Sequence, residues 1–462
     1  MAKDMGQDPA WAGAGALAAM LARGELSAVE AFDAAVARIE ARDGAINAVV
    51  VRDFDRALAA ARAADAALAR GERAPLLGVP MTVKESNNVA GLPTTWGFEG
   101  ARGFTAETDG LGVARLKAAG AVILGKTNVP VGLADWQSVN PIYGRTRNPW
   151  NLERSPGGSS GGGAAAVASG MVPLEFGSDI GGSIRVPAAF CGIYGHKPSY
   201  GIIPLRGHSP PGVDGADIDL AVVGPLARTA ADLQLAMDVL AGPEPEEAVG
   251  WRLALPPPRH ARLGDYRVLV LDHHPAAALD DEIATALNGL AGRLEDLGAG
   301  VVRAVDGLPD LVAGHAVYGA MLGAAMSRGA PGAAPISSHA WMDLIDAQTA
   351  IRRAWAQVFR EVDVVLAPAF GVTAYPHDDT PNQTARVQLV NGRPTPYMAQ
   401  VAWPGMATLA NLPATAAPIG LSAAGLPIGA QIIGPYLEDR TSLAFAGLLE
   451  AEFGGFTRPP GY

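Results

Sequence analysis

Ser155-Pro-Gly-Gly-Ser-Ser-Gly-Gly162 and Gly177-Ser-Asp-Ile-Gly-Gly-Ser-Ile-Arg185 place serines within runs of glycine. A serine hydroxyl is a weak nucleophile at neutral pH and needs a base beside it. Glycines let the backbone approach a substrate closely and turn its N–H groups toward one. Upstream lies Gly78-Val-Pro-Met-Thr-Val-Lys-Glu-Ser86, an apolar β-branched run ending in a lysine. A lysine at the end of a buried strand loses hydration, which lowers its pKa toward that of a usable base. Ser183, Ser159 and Lys84 are therefore the candidate nucleophile, proton bridge and general base of a serine hydrolase. The N–H groups of Ile180, Gly181, Gly182 and Ser183 are the candidate oxyanion donors.

The surrounding pattern gives the fold class. Gly78 to Lys84 and Ala121 to Leu124 read as short buried strands, as do Arg267 to Leu271 and Val362 to Leu366. Between them lie helical segments. Ser27 and Glu30 form a Ser-x-x-Glu capping box that opens a helix running to about Arg42. Asp53 to Arg70, Thr108 to Ala119 and Gly162 to Ala168 are further helices, the last made of small residues that pack closely on a sheet. Strands alternating with helices imply an α/β architecture with a largely parallel sheet.

Composition excludes several classes. Of the 462 residues, 49% are hydrophobic and 18% charged, which fits a large buried core. A net charge of −11 argues against nucleic-acid binding, which needs clustered Lys and Arg. The single cysteine, Cys191, cannot form an internal disulfide and reads as a small buried hydrophobe. No apolar run is long enough to cross a bilayer. The patch from Trp11 to Ala22 follows Asp4 and Asp8 and precedes no cleavage site, so it reads as a helix rather than a secretory signal. A cytoplasmic protein with no membrane or nucleic-acid partner is expected. The histidines lack metal-ligand spacing, and His273-His274 reads as a surface turn, so neither metal nor cofactor is expected.

The run from Ser155 to Lys197 resembles the signature of the amidase signature family. The two serines are 24 positions apart, as in that family. Other blocks agree: Gly24-Glu-Leu-Ser-Ala-Val-Glu30, Gly120-Ala-Val-Ile-Leu-Gly-Lys-Thr-Asn-Val-Pro130, Asn148-Pro-Trp150, Gly224-Pro-Leu-Ala-Arg-Thr229, Asp363-Val-Val-Leu-Ala-Pro368 and Pro427-Ile-Gly-Ala-Gln-Ile-Ile-Gly434. The resemblance implies one domain over residues 1–462, with helices over about 8–70, a signature core over about 75–235, and a remainder that completes the sheet and substrate channel. The implied fold is a central mixed, mostly parallel sheet with helices on both faces. The implied triad is Ser183, Ser159 behind a cis Gly158–Ser159 peptide, and Lys84. Glu85 stands where the family often has Asp. Ser160, Asp179 and Arg185 are expected to support the site, Ser160 as a hydrogen bonder, Asp179 by accepting from backbone or from a serine, and Arg185 by bracing the loop through charge-assisted hydrogen bonds.

On the substrate side the resemblance places Leu133 and Trp136 along an acyl-binding channel, and Met81 and Trp96 are expected near Lys84. Trp136 reads equally as a core residue. The polar, Pro-rich stretch from Tyr375 to Pro396 borders the site entrance or is a surface excursion. The implied activity is hydrolysis of a hydrophobic, aryl-containing amide or anilide, with carbamates and esters open to the same chemistry, by a monomer or homodimer. A glutaminase subunit of a tRNA-dependent amidotransferase is the alternative. It requires an arginine and an acid for the glutamine α-amino acid group, and the sequence does not single out such a pair. A catalytically inactive binding module is the remaining alternative.

Overall fold

The computed structural model describes residues 9–328 and 332–462. Asp4 and Asp8, used in reading the N-terminus, lie outside the described residues. Eleven strands form one sheet: β1 (Val49–Arg52), β2 (Pro80–Lys84), β3 (Val122–Thr127), β4 (Leu174–Asp179), β5 (Tyr194–Lys197), β6 (Val222–Ala227), β7 (Arg267–Val270), β8 (Gly300–Val302), β9 (Val364–Pro368), β10 (Ala414–Leu421) and β11 (Pro427–Ile433). Their spatial order is β1-β3-β2-β4-β6-β5-β10-β11-β9-β7-β8. Strands β2, β3, β4 and β6 are buried at every position, so they read as continuous apolar runs rather than alternating ones.

The sheet is mixed, as expected, but the parallel pairs form only two blocks. One is β3-β2-β4, the other β9-β7-β8. The other six neighbouring pairs are antiparallel, which corrects the expectation of a mostly parallel sheet. The cause is local at β10 and β11: a turn of only five residues joins them, too short for the crossover that parallel neighbours need.

Helices cover the sheet. At the N-terminus are α1 (Ala14–Arg23), α2 (Ala28–Ile46) and α3 (Phe54–Ala69). The capping box forms: Glu30 N donates to Ser27 Oγ at 3.1 Å, and Ser27 N donates to Glu30 Oε2 at 2.8 Å. Helix α2 continues past the expected Arg42 and ends at Asn47, whose φ of 60° is the left-handed conformation that asparagine tolerates. Next, α4 (Leu111–Ala118) is shorter than expected because Gly110 caps it. All eight residues of α5 (Gly161–Ala168) are buried. A Cβ at Gly162 would stand 2.3 Å from the backbone nitrogen of Asn128, so the glycine permits α5 to reach this close.

Helices α6 (Arg185–Cys191), α7 (Ala230–Leu240) and α8 (Asp281–Asp296) follow. An outer layer is built by α9 (Leu311–Ser327), α10 (Ser338–Glu361) and α11 (Ala402–Leu409), which pack on one another. Helix α12 (Asp439–Phe453) closes the far side against α7. Lys84 and Asp179 are the last residues of the parallel neighbours β2 and β4, and Ser160 caps α5. The carboxyl ends of parallel strands are where α/β folds usually place their ligands.

Candidate active site

The strand β2 alternates its side chains, so Thr82 and Lys84 share one face while Met81 and Val83 face the other. Lys84 is fully buried. Its Nζ lies 2.6 Å from Ser159 Oγ, 2.8 Å from Ser178 Oγ and 3.4 Å from the Ser178 carbonyl. None of the ion pairs among the described residues includes it. Its neighbour Glu85 is occupied elsewhere, accepting from Thr95 N at 2.6 Å, Thr95 Oγ1 at 2.7 Å and Trp96 N at 2.9 Å. Burial pushes the Lys84 ammonium down to about 7, opposed in part by the negative charges of Asp179 and Glu175. Met81 is fully buried in the core on the opposite face, which corrects the expectation that it stands on the substrate side near Lys84.

Glu175 on β4 is the second buried ionisable group here. It accepts from Thr127 Oγ1 at 2.6 Å and from Thr82 Oγ1. Burial raises its carboxyl to about 7 against the pull of those hydroxyls and of Lys84. Since its negative charge favours protonated Lys84, Glu175→Gln is expected to move Lys84 deprotonation to lower pH. A pH profile of kcat/KM whose acid limb stays in place, or moves to higher pH, would contradict this.

The Gly158–Ser159 peptide is cis. Ser160 ties the two serine loops together: its N–H donates to the Ser183 carbonyl at 3.1 Å. The Ser160 hydroxyl donates to the Ser178 carbonyl at 3.2 Å and accepts from Ser178 N at 3.4 Å. The structure thus brings Lys84 and Ser159 into direct contact and joins Ser183 to them through backbone. No hydrogen bond runs between the Ser159 and Ser183 hydroxyls.

Asp179 and Arg185 frame the loop that carries Ser183. Both side chains are fully buried, and Arg185 Nη2 meets Asp179 Oδ1 at 2.9 Å while Nε meets Oδ2 at 3.0 Å. The remaining guanidinium hydrogens go to the Pro404 carbonyl at 2.9 Å, Gln431 Oε1 at 2.7 Å and Thr408 Oγ1 at 2.8 Å. Burial alone would raise the Asp179 carboxyl, but the Arg185 charge and hydrogen bonds hold it at about 2. Removing one partner of such a pair strands a buried charge. Arg185→Ala is expected to cost about 3–5 kcal/mol of stability. Chemical denaturation would check this, and an unshifted midpoint would contradict it.

Asp179 also accepts from Gly182 N at 2.9 Å and from Ile184 N at 3.1 Å. The Gly182 N–H is therefore committed inside the loop, which corrects its inclusion among the oxyanion donors. Gly182 adopts a φ of +91°, and a Cβ there would press on Val186 and Pro404. The loop carbonyls are held as well: Tyr318 Oη donates to Ile180 O at 2.7 Å, and Trp136 Nε1 to Gly181 O at 2.9 Å. The N–H groups of Gly181 and Ser183 have no acceptor among the described residues.

Trp136 is 6% exposed, with its ring edge-on to Phe370 and Tyr397. Its indole braces the Ser183 loop at the Gly181 carbonyl and sits among buried aromatic side chains, in keeping with the core reading of Trp136. Leu133 is half-buried with a φ of 60°, in the segment that precedes this tryptophan. Trp96 is buried and donates from Nε1 to the Ser86 carbonyl at 3.1 Å. The segment after Tyr375 docks on the site side. Tyr375 Oη donates to Trp136 O at 2.8 Å, Gln137 exchanges hydrogen bonds of 2.9 Å with the Asp378 backbone, and Arg386 pairs with Asp135 at 2.6 Å.

His273 is exposed and His274 opens a tight turn in which Ala277 N donates to the His274 carbonyl at 3.2 Å, in keeping with the expected turn, while the His274 ring is buried against Trp403. Among the described residues, no group of three or more His, Cys, Asp and Glu side chains is placed to hold a metal ion. Cys191 is fully buried, and burial raises its thiol well above the usual range. A cleft lined by His274, Asp310, His315, Tyr318, Trp355 and Met406 lies between α9, α10 and α11 and reaches none of Lys84, Ser159 or Ser183.

Sequence reasoning missed Tyr318, Glu175 and the bracing of Arg185 by Thr408 and Gln431. Tyr318 sits in an apolar helix with no local signal. Ser178, whose hydroxyl also touches Lys84, was not singled out either, although it stands inside the signature run.

With this geometry in view, the family model described as Amidase matches residues 30–330 and 322–443. The chain belongs to the amidase family. It is 34% identical over 488 residues to a glutamyl-tRNA(Gln) amidotransferase subunit from Roseiflexus sp. (strain RS-1), covering 95% of this chain and 96% of that protein. It is 33% identical over 490 residues to fatty-acid amide hydrolase 2-A of Danio rerio, covering 96% of this chain and 89% of that protein. Among solved structures, a bacterial aryl acylamidase of the amidase signature family superposes with a TM-score of 0.81 at 27% identity, covering 98% of this chain and 99% of that one. The protein is an amidase signature hydrolase acting on amide C–N bonds.

Proposed function

We propose that the chain hydrolyses hydrophobic, aryl-containing amides and anilides through an acyl-enzyme on Ser183, with Lys84 as base and Ser159 as proton bridge. The observation that carries this reading is the contact of Lys84, buried and without a carboxylate ion pair among the described residues, with the Ser159 hydroxyl at 2.6 Å. Neutral Lys84 takes the Ser159 proton as Ser159 takes that of Ser183. Ser183 Oγ bonds to the substrate carbonyl carbon, and the carbonyl oxygen becomes an oxyanion facing the Gly181 and Ser183 N–H groups. Collapse breaks the C–N bond, and the proton returns through Ser159 to the leaving nitrogen. Water then attacks the ester, loses its proton by the same route, and releases the acid and Ser183. The step requires Ser183 Oγ to turn onto Ser159, a contact of the kind that tightens once substrate binds. Carbamates and esters offer the same carbonyl and are secondary substrates on this reading.

Two features favour hydrophobic substrates over glutamine. Ile180 packs on an apolar cluster that includes Trp136, Val186, Tyr318, Phe370 and Val401. Gly181 borders the same cluster: a Cβ there would be in van der Waals contact, 3.6 Å from Tyr318 Oη and 3.8 Å from Val401 Cγ2. Apolar walls gain about 25 cal/mol per Å2 of apolar substrate buried and give nothing to a zwitterion. The acid and arginine beside the serine loop, Asp135 and Arg386, also engage each other, and Tyr397 Oη donates to Asp135 Oδ1 at 2.6 Å. They are not free for an α-amino acid group. A hydrolysis screen over anilides, aliphatic amides, carbamates, esters and glutamine is expected to rank anilides and aryl amides first. Glutamine as the best substrate would overturn the specificity and favour the glutaminase alternative.

A further inference from the structure

We infer that Tyr318 is a positioning residue that aims the Gly181 N–H as an oxyanion donor; this rests on the proposed acyl-enzyme chemistry at Ser183. In a trans peptide the carbonyl of one residue and the N–H of the next point in opposite directions. Holding the Ile180 carbonyl therefore sets the direction of the Gly181 N–H, and holding the Gly181 carbonyl sets that of Gly182.

The two planes are restrained differently. The Gly181–Gly182 unit is held at both ends, its carbonyl by Trp136 Nε1 at 2.9 Å and its N–H by Asp179 Oδ1 at 2.9 Å. The Ile180–Gly181 unit is held at its carbonyl, by Tyr318 Oη at 2.7 Å, while its N–H has no acceptor among the described residues. It adjoins a glycine, the residue least able to resist rotation. The orientation of one donor thus depends on one phenol.

That phenol is itself fixed. Tyr318 is 1% exposed, and its ring packs closely against Gly405 of α11, where a Cβ would stand 2.6 Å from Tyr318 Cδ1. Burial raises its hydroxyl well above the usual phenol range, so it remains a donor at every working pH. Tyr318 belongs to α9, far along the chain, so the outer helical layer completes the loop that carries the nucleophile.

The test is Tyr318→Phe, which removes the hydroxyl and keeps the ring. Loss of one oxyanion donor lowers kcat by about 100-fold or more, so a loosened donor is expected to lower kcat by about 10- to 100-fold. KM for an anilide is expected to stay within about 2-fold, because the donor strengthens its bond only as negative charge develops. Affinity for a trifluoromethyl ketone analogue, which forms a tetrahedral oxyanion on the serine, is expected to fall by the same factor as kcat. A purely structural role would instead lower the thermal midpoint and the active fraction while leaving kcat per labelled site unchanged. Fluorophosphonate labelling of wild-type Ser183 is measured in parallel. If wild type is labelled and Tyr318→Phe keeps wild-type kcat and analogue affinity, or loses activity only through KM, the inference is overturned and the Ser183 reading stands. If wild-type Ser183 is not labelled, that reading fails and the inference with it.

Discussion

Ser183→Ala is expected to lower amide turnover by several orders of magnitude without changing the thermal midpoint. Members of a cooperating catalytic set show this behaviour because no other group takes over bond formation to the acyl carbon. Ser183 lies between two residues, Gly182 and Ile184, whose N–H groups bond to Asp179. The loop geometry is thus maintained by backbone and by the Asp179–Arg185 pair, not by the Ser183 hydroxyl. Steady-state kinetics on the best anilide checks the loss. Residual activity above about a tenth of wild type would contradict the assignment, since it would show that the hydroxyl forms no covalent bond in the main route.

Lys84→Ala is expected to lower amide hydrolysis nearly as far and to affect activated esters less. An amine leaving group must receive a proton as the C–N bond breaks, whereas a good phenolate leaves without one. The wild-type pH profile carries the same prediction in a second form. Burial places Lys84 at about 7, and only its neutral form accepts a proton. Activity is therefore expected to fall as pH drops through about 7 and Lys84 becomes charged, and to level off above it. Undiminished kcat/KM well below neutral pH, or equal losses for amides and activated esters in Lys84→Ala, would contradict the role of Lys84 as base.

The parts of the fold legible in the sequence are those with strong local signals. The capping box at Ser27 and Glu30 gave α2, and the uninterrupted apolar runs gave β2 and β3 because strands buried on both faces leave no alternation to misread. The direction of strand pairing was not legible, since it depends on which strands become neighbours after folding. The outer layer of α9 and α10 was also missed. Helix α9 is apolar nearly all round, with only Gly314, Tyr318 and Met321 buried, so it lacks the one-sided stripe that marks a packed surface helix.

The candidate site shows the same division. Lys84, Ser159 and Ser183 stand in glycine-rich or strand-end contexts that point to chemistry on their own. The substrate-side residues do not. Met81 stands three positions before Lys84 in the chain, and strand alternation turns side chains an odd number of positions apart to opposite faces. That Asp179 accepts from backbone was legible beside the nucleophile, but that the donor would be Gly182, one of the candidate oxyanion N–H groups, was not.

The central claim is that Ser183 forms the covalent bond and Lys84 activates it. Intact-protein mass spectrometry after treatment with a fluorophosphonate, followed by peptide mapping, tests this most directly. The account predicts one adduct per chain, located on Ser183, absent from Ser183→Ala and formed much more slowly in Lys84→Ala. An unmodified wild-type protein, or an adduct carried by a residue other than Ser183, would contradict it.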